Sequence, residues 1–287
     1  MAKISYSVRA MRTDDIFAAM RLKDIEDWNQ TQRDWEVFIK NNPDLCLVAD
    51  LKGLVIGTAT AINYSNQVSW ISMVLVDKEF RGLGISKKLL ARLMENLTFC
   101  RSLKLDATPA GIMVYKKMGF VAEYKIIRMI HPSLDLKLPE KYDILPVQAG
   151  NEDIDEIVKF DQRIFGADRT ILIEAFIRDY PDRVWILRKH NRITGYALGR
   201  KGTKYNQTGP VYALSVKDAK ALVKKSFESN VGQPVVVDIP EDKTALTEWL
   251  LSVGFTTQRS FTRMHYKENP HPGEINKQYL ICGPEFG

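Results

Sequence analysis

The sequence predicts a mixed α/β fold, used twice in one chain. Three observations carry that expectation. Met118-Gly119-Phe120 followed by Ile127-Arg128-Met129 returns, 135 residues later, as Val253-Gly254-Phe255 and Thr262-Arg263-Met264. Cys46–Ala49 leading over a polar turn to Val55-Ile56-Gly57 is matched 138 residues on by Trp185–Arg188 and Ile193-Thr194-Gly195. Each half also interleaves short β-type runs with amphipathic helical stretches. Two domains follow, residues 1–135 and 136–287, with the seam near Pro132–Tyr142, where Pro132, Pro139 and alternating Leu and Lys read as a linker. The Pro- and Gly-bearing tail Asn269–Gly287 reads as surface.

The elements of the first half can be justified in order. Ser7–Met11 reads as a strand, and Asp14–Trp28 as a helix with Thr13 as its N-cap. Asp34–Asn41 is a short helix. Leu45–Asp50 and Val55–Ile62 form a hairpin across Lys52-Gly53, followed by the strongly apolar strand Trp70–Val76. Ile85–Leu97 places Ile85, Leu89, Leu90, Leu93 and Leu97 on one helical stripe. Leu103–Asp106 is a short buried strand, Met113–Met118 a helix stopped by Gly119, and Ala122–Ile130 a closing strand.

Composition excludes several classes. Among 287 residues, 45% are hydrophobic and 26% charged, the balance of a globular protein. No apolar run approaches the roughly 18 residues of a membrane span, and the opening Met1-Ala-Lys-Ile-Ser-Tyr lacks a signal peptide's apolar core. Three scattered cysteines and four scattered histidines form neither a disulfide framework nor a metal site. Cytoplasmic residence is the expectation. The net charge of +6 suits an anionic small ligand and is too diffuse to argue for nucleic acid.

The segment that carries chemistry is Arg81-Gly82-Leu83-Gly84-Ile85-Ser86, between an apolar strand and an amphipathic helix. Glycines let backbone N–H groups approach a ligand, and a helix N-terminus adds about half a positive charge, so the stretch suits a pyrophosphate. Neither GxxxxGK[ST] nor a complete GxGxxG is present; Lys87 stands where the third glycine belongs. A tight strand–helix turn that merely uses two glycines is the bland alternative.

This loop, its position after the apolar strand, and Val114-Tyr115-Lys116-Lys117-Met118-Gly119-Phe120 further on resemble the GNAT family of N-acetyltransferases, whose cofactor loop runs [RQ]-x-x-G-x-[GA]. Arg81 and Gly84 fit; Ser86 takes the last small position. Asp27-Trp28-Asn29, Asp106-Ala-Thr-Pro-Ala-Gly111, Phe160-Asp161, Gly209-Pro210, Asp238-Ile239-Pro240 and Gly283-Pro284-Glu285 narrow the resemblance to tandem acetyltransferases of the YitH-like type, over nearly the whole chain. The resemblance implies acetyl-coenzyme A as co-substrate, with no metal, and its pyrophosphate on the amides of Gly82 to Ser86. Pantetheine would run along Val74, Leu75 and Val76, and Thr108 stands at the family's usual asparagine. Tyr115 stands where the family has the acid that protonates the departing thiolate. The ring-in-core, hydroxyl-in-water reading of that tyrosine stands beside it.

Transfer to an amine requires loss of a proton, because a lysine-like amine near pKa 10.4 is about 3 units from neutral at pH 7, a cost of about 4 kcal/mol. Asp106, at the end of its strand, is the candidate base, although Asp238 at the matching place in the other half suggests a structural job. Asp27, Trp28, Asn29 and Trp70 are candidates for acceptor contact. The second half reads as a copy without the chemistry: a 135-residue offset carries Arg81–Ser86 to Val216–Ala221, which has no glycine, and Tyr115 to Leu250. The expected function is acetyl transfer from acetyl-coenzyme A to a primary amine, on a small molecule or peptide, by direct attack in a ternary complex. The alternative is a non-enzymatic sensor or regulatory module that binds acetyl-coenzyme A.

Overall fold

In the computed structural model, residues 4–135, 142 and 144–287 are described. The linker expected around Pro139 falls largely outside them. The first half runs β1 (Ser7–Ala10), α1 (Ile16–Ile25), α2 (Gln32–Asn41), β2 (Cys46–Leu51), β3 (Leu54–Tyr64), β4 (Val68–Val76), α3 (Ile85–Asn96), β5 (Ser102–Ala107), α4 (Pro109–Lys117) and β6 (Phe120–His131). The second runs β7 (Val147–Gln148), α5 (Ile154–Phe165), α6 (Thr170–Asp179), β8 (Trp185–Lys189), β9 (Arg192–Arg200), β10 (Asn206–Ala213), α7 (Val216–Glu228), β11 (Val235–Pro240), α8 (Thr244–Ser252), β12 (Thr256–Tyr266) and β13 (Gln278–Leu280). The order is that expected from the sequence, and the same order appears twice.

Ends differ in instructive ways. Thr13 is not the N-cap of α1. A turn of 3₁₀ helix at Thr13–Asp15 precedes it, and the Asp15 carboxylate accepts from the Arg12 amide at 2.7 Å, doing the cap's work. The expected helix to Trp28 stops at Ile25, because Asp27 takes a left-handed φ of 59° and redirects the chain.

The strands form one sheet in the order β1-β2-β3-β4-β5-β12-β6-β11-β10-β9-β8-β7, with β13 added against β10. Each half has given its closing strand to the other: β12 lies against β5, and β6 lies against β11. The two exchanged strands pair with each other from Thr256–Ile130 to Tyr266–Phe120. On one face of the sheet a single apolar core joins both halves, including Leu22, Phe38, Phe160 and Phe176 from α1, α2, α5 and α6, with residues of their strands. The opposite face carries two separate cores, one under α3 and α4 and one under α7 and α8. Period-two alternation explains the division: Trp70 faces the shared core and Ile71 the α3 core.

The first part of the tail, residues 269–277, is half-buried or exposed as expected, but its end is not surface. Residues 278–283 and 285–287 are buried, and the Phe286 ring stacks on Phe38 at 4.9 Å. Among the described residues no helix is long and apolar enough to cross a membrane.

Candidate active site

A defect in β4 makes the site. Met73 has a φ of 51°, and the β3–β4 register shifts between Thr58–Leu75 and Thr60–Ser72, a bulge held by the Thr58 hydroxyl donating to the Met73 carbonyl at 2.7 Å. The parallel ladder from β4 to β5 covers only Val68–Trp70 against Ser102–Lys104. Beyond it the two strands part, leaving the edge of β4 from Val74 to Val76 facing α4 across a cleft.

The loop after β4 closes the outer end of that cleft. Gly82 and Gly84 hold φ of 79° and 76°, which only glycine adopts without strain, and a Cβ added at either would meet nothing within 4 Å. Gly84 is the N-cap of α3 and no side chain caps it, so the first-turn amides remain available to a ligand. Arg81 donates to the Val76 carbonyl at 3.2 Å and ion-pairs with Glu26. An open, positively biased cradle of backbone N–H groups beside an unpaired strand edge fits a pyrophosphate with an amide-bearing arm. Val74, Leu75, Val76, Arg81, Gly82, Gly84, Ile85, Ser86, Thr108 and Tyr115 all line this one cleft. Leu83 does not; its side chain is partly exposed outside the lining.

A smaller cavity continues inward. The outer cleft holds about 1430 Å³ and the inner about 600 Å³, each counted to its open mouth. Trp28, Val74, Thr108, Tyr115 and Arg259 line both, so they mark the junction. Tyr115 is half-buried, with its ring edge-on to Phe120 at 5.8 Å. A Cβ on Gly111 would come within 2.8 Å of that ring, so the glycine makes room for it. Burial pushes the phenol up to about 12, and its hydroxyl has no hydrogen-bond partner among the described residues.

The other expected acceptor residues do not converge here. Asp106 touches the inner cavity, but its fully buried side chain is gripped by Arg263, Nε and Nη2 each donating at 2.9 Å. Burial raises its pKa against the pull of Arg263, and a carboxylate committed to a bidentate buried ion pair serves the framework, which argues against its reading as the base. Asn29 lies outside the cavity lining. Its Oδ1 accepts from the amides of Lys204 and Tyr205, and its Nδ2 donates to the Tyr205 carbonyl, pinning the loop before β10. Asp27 is exposed and pairs with Lys204. Trp70 is buried behind the site, donating to the Pro284 carbonyl at 3.0 Å under the Arg263 guanidinium. Of these candidates, Trp28 alone lines the acceptor side without other obvious employment.

The residues that sequence reasoning missed come from far along the chain. Gln30, Arg128, Arg259 and Glu285 all line the inner cavity. Arg128 belongs to the repeated Arg-Met pair and Glu285 to the Gly-Pro-Glu tail, but only strand exchange and the buried tail bring them there.

In the second half the same splay exists, because β10 and β11 pair only at Asn206–Val235 and Gln207–Val236. It is filled from within. β13 pairs with β10, and the Ile281 amide donates to the Asp238 carbonyl on β11 at 3.0 Å. The 135-residue offset fails at the loop: only Leu214 and Ser215 separate β10 from α7, so Val216–Ala221 is the start of the helix and the phosphate loop is missing altogether. Ser215 caps that helix through the Asp218 amide, and Leu250 is fully buried in its core.

Residues 42–122 and 157–280 each match a sequence model described as an acetyltransferase (GNAT) domain. The uncharacterized N-acetyltransferase YitH of Bacillus subtilis is 24% identical over 185 residues, 64% of this chain and 65% of that protein, so the match spans just under two thirds of its length. The holothin acyltransferase of a Pseudoalteromonas species is 25% identical over 271 residues, 91% of this chain and 88% of that one. An acetyltransferase of Pectobacterium atrosepticum is 31% identical over 122 residues, 39% of this chain and 86% of its own. The crystal structure of a putative acetyltransferase from Pyrococcus horikoshii shares the fold, with a TM-score of 0.83 at 24% identity over 100% of this chain and 98% of that one. With two matched domains, relatives of this kind and a site of this shape, the chain belongs to the GNAT acetyltransferase family and is an acyltransferase built of two tandem GNAT folds.

Proposed function

We propose that the first half binds acetyl-coenzyme A in the outer cleft and passes its acetyl group to a primary amine in the inner cavity, by direct attack without an acyl-enzyme. The observation that carries this reading is Tyr115, standing at the junction of the two cavities with an unengaged hydroxyl. The coenzyme supplies an activated acyl thioester. The amides of Gly82 to Ser86 hold its pyrophosphate, and the β4 edge at Val74–Val76 aligns its arm with the junction.

Tyr115 then has the job of giving its proton to the departing sulfur. Its raised pKa keeps it protonated at neutral pH, as a proton donor must be. Cys46, Cys100 and Cys282 are all buried and none lines the two cavities, which argues against a covalent route.

The other carboxylate lining the inner cavity, Glu285, is the one we assign to the amine, because it shares its arginine with a second acid. It and Asp34 share the one guanidinium of Arg200, all three nearly fully buried. With one guanidinium facing two carboxylates, this triad is one positive charge short of neutral, so a cationic group beside it is stabilised.

Free-thiol release from acetyl-coenzyme A across a panel of small amines and amine-bearing peptides tests the proposal. Turnover with at least one amine, lost in Tyr115→Phe and Glu285→Gln without loss of coenzyme binding, is expected. Coenzyme binding with no thiol release from any amine would instead favour a sensing module.

A further inference from the structure

The lining of the inner cavity offers a ligand two unsatisfied polar groups of different kind. Arg259 and Arg128 flank the ring of Phe261, at 5.8 and 5.2 Å from guanidinium carbon to ring centroid. Arg128 is neutralised by Asp238 through two hydrogen bonds of 2.8 Å. Arg259 has no carboxylate partner among the described residues. Its Nε is buried with no hydrogen bond, and its guanidinium makes only a 3.5 Å contact to the Asp27 carbonyl. Among the acids whose charge reaches it, Asp238 is engaged by Arg128 and Glu26 by Arg81. Burial, with Arg128 as a like-charged neighbour, pushes the Arg259 pKa down against the opposing pull of Asp238, Tyr205 and Glu26.

Gln30, 5% exposed, also lines this cavity, and its Nε2 donates to Glu285 at 3.0 Å. Its Oε1 is buried and accepts from nothing among the described residues. The pair therefore presents an unused hydrogen-bond acceptor beside a carboxylate. Ile71, Leu105, Trp28 and Phe261 add an apolar lining.

We propose that the acceptor is an amine that also carries a carboxylate, with the carboxylate on Arg259, the nitrogen at Gln30 and Glu285, and its apolar part against the apolar lining. Buried polar groups without partners are rare and costly in a folded chain, and a zwitterion would satisfy both groups at once. The planar guanidinium fork matches a carboxylate in two hydrogen bonds, and with a single uncompensated cation the site balances a single negative charge. The inference rests on the acyl-transfer reading of the same cavity.

The test compares amino acids with their decarboxylated amines: phenylalanine with phenethylamine, leucine with isoamylamine, and lysine with cadaverine. Each is measured by thiol release and, separately, by calorimetric binding to the protein saturated with coenzyme A. At least one amino acid should show a KM and a Kd ten-fold or more below its amine. Arg259→Gln should erase that preference while acetyl-coenzyme A affinity stays within two-fold, and Arg259→Lys should restore part of it. Equal or better use of the amines overturns the proposal. So does an Arg259→Gln protein that keeps the preference and loses coenzyme affinity, because Arg259 would then serve the coenzyme. Binding of neither member of any pair, in protein that still binds coenzyme A, also overturns it. Arg259-dependent binding of an amino acid without thiol release upholds the site and rejects acetyl transfer.

Discussion

Arg263 on β12 holds Asp106 on β5 with two hydrogen bonds of 2.9 Å, from one half of the chain into the other. Arg128 on β6 repeats the contact with Asp238 on β11 at 2.8 Å. The two pairs are related by the internal repeat, and each lies directly across an exchanged strand: Arg263 faces Asp106 and Arg128 faces Asp238 in the register. Strand exchange thus neutralises the strand-end aspartate of each fold with an arginine from the other. This is why Asp106 serves the frame.

Asp106→Asn should therefore act on stability before chemistry. The substitution leaves Arg263 buried without its counter-charge, a loss of about 3–5 kcal/mol. Denaturant unfolding of Asp106→Asn, Arg263→Met and the double variant checks it, and the double should be less destabilised than the sum of the singles. Unchanged stability with collapsed kcat would return Asp106 to the role of base.

Gly84→Asp should abolish the rise in melting temperature that acetyl-coenzyme A gives the wild type, while Gly84→Asn keeps most of it. Both residues tolerate the left-handed φ of 76° better than other side chains, and a Cβ there meets nothing within 4 Å. Only the aspartate sets a negative charge against the pyrophosphate. Equal ligand-induced shifts in both variants would remove the loop from the coenzyme site.

Tyr115→Phe keeps the ring against Phe120 and removes the proton. Coenzyme affinity should stay within a few-fold and kcat should fall about 10²–10⁴. The acid works only while protonated, so activity is lost as pH rises through its pKa. With that pKa raised to about 12, wild-type kcat at saturating acceptor should show no falling limb up to pH 10. A limb centred below pH 10 that disappears in the variant would contradict the burial argument.

Calorimetric titration with acetyl-coenzyme A should return one site per chain. The second half lacks the loop, since only Leu214 and Ser215 join β10 to α7, and β13 fills the gap between β10 and β11. Two sites of comparable affinity would overturn that account.

Phe286→Ala should cost about 3–5 kcal/mol, as for a large ring deleted from a packed core. Phe286 is fully buried between Phe38 and Phe176, and its carbonyl accepts from the Tyr64 hydroxyl at 2.8 Å. Because Pro284 and Glu285 line the inner cavity, acceptor KM should rise with the loss of stability. Wild-type stability in this variant would mean that the tail is dispensable.

The amino-acid sequence by itself determined what is local. Glycines 82 and 84 ahead of an apolar-striped helix specify a phosphate-type cradle, because left-handed φ and a helix N-terminus are properties of a few adjacent residues. The repeat specified two copies of one element order. The tertiary structure alone decided how the copies interlock, since β6 and β12 could pair equally well within their own halves as far as their patterns show. From that choice follow the Asp106–Arg263 pair and the entry of Arg128 and Arg259 into the acceptor cavity. The end of the tail was misread for a related reason. Its Pro and Gly residues resemble loop sequence, but a cleft left open by the second half needs a strand to satisfy its edge, and the nearest chain able to do so is the protein's own. Contacts between residues more than a hundred positions apart leave no periodicity in the sequence, and here they build the acceptor side of the site.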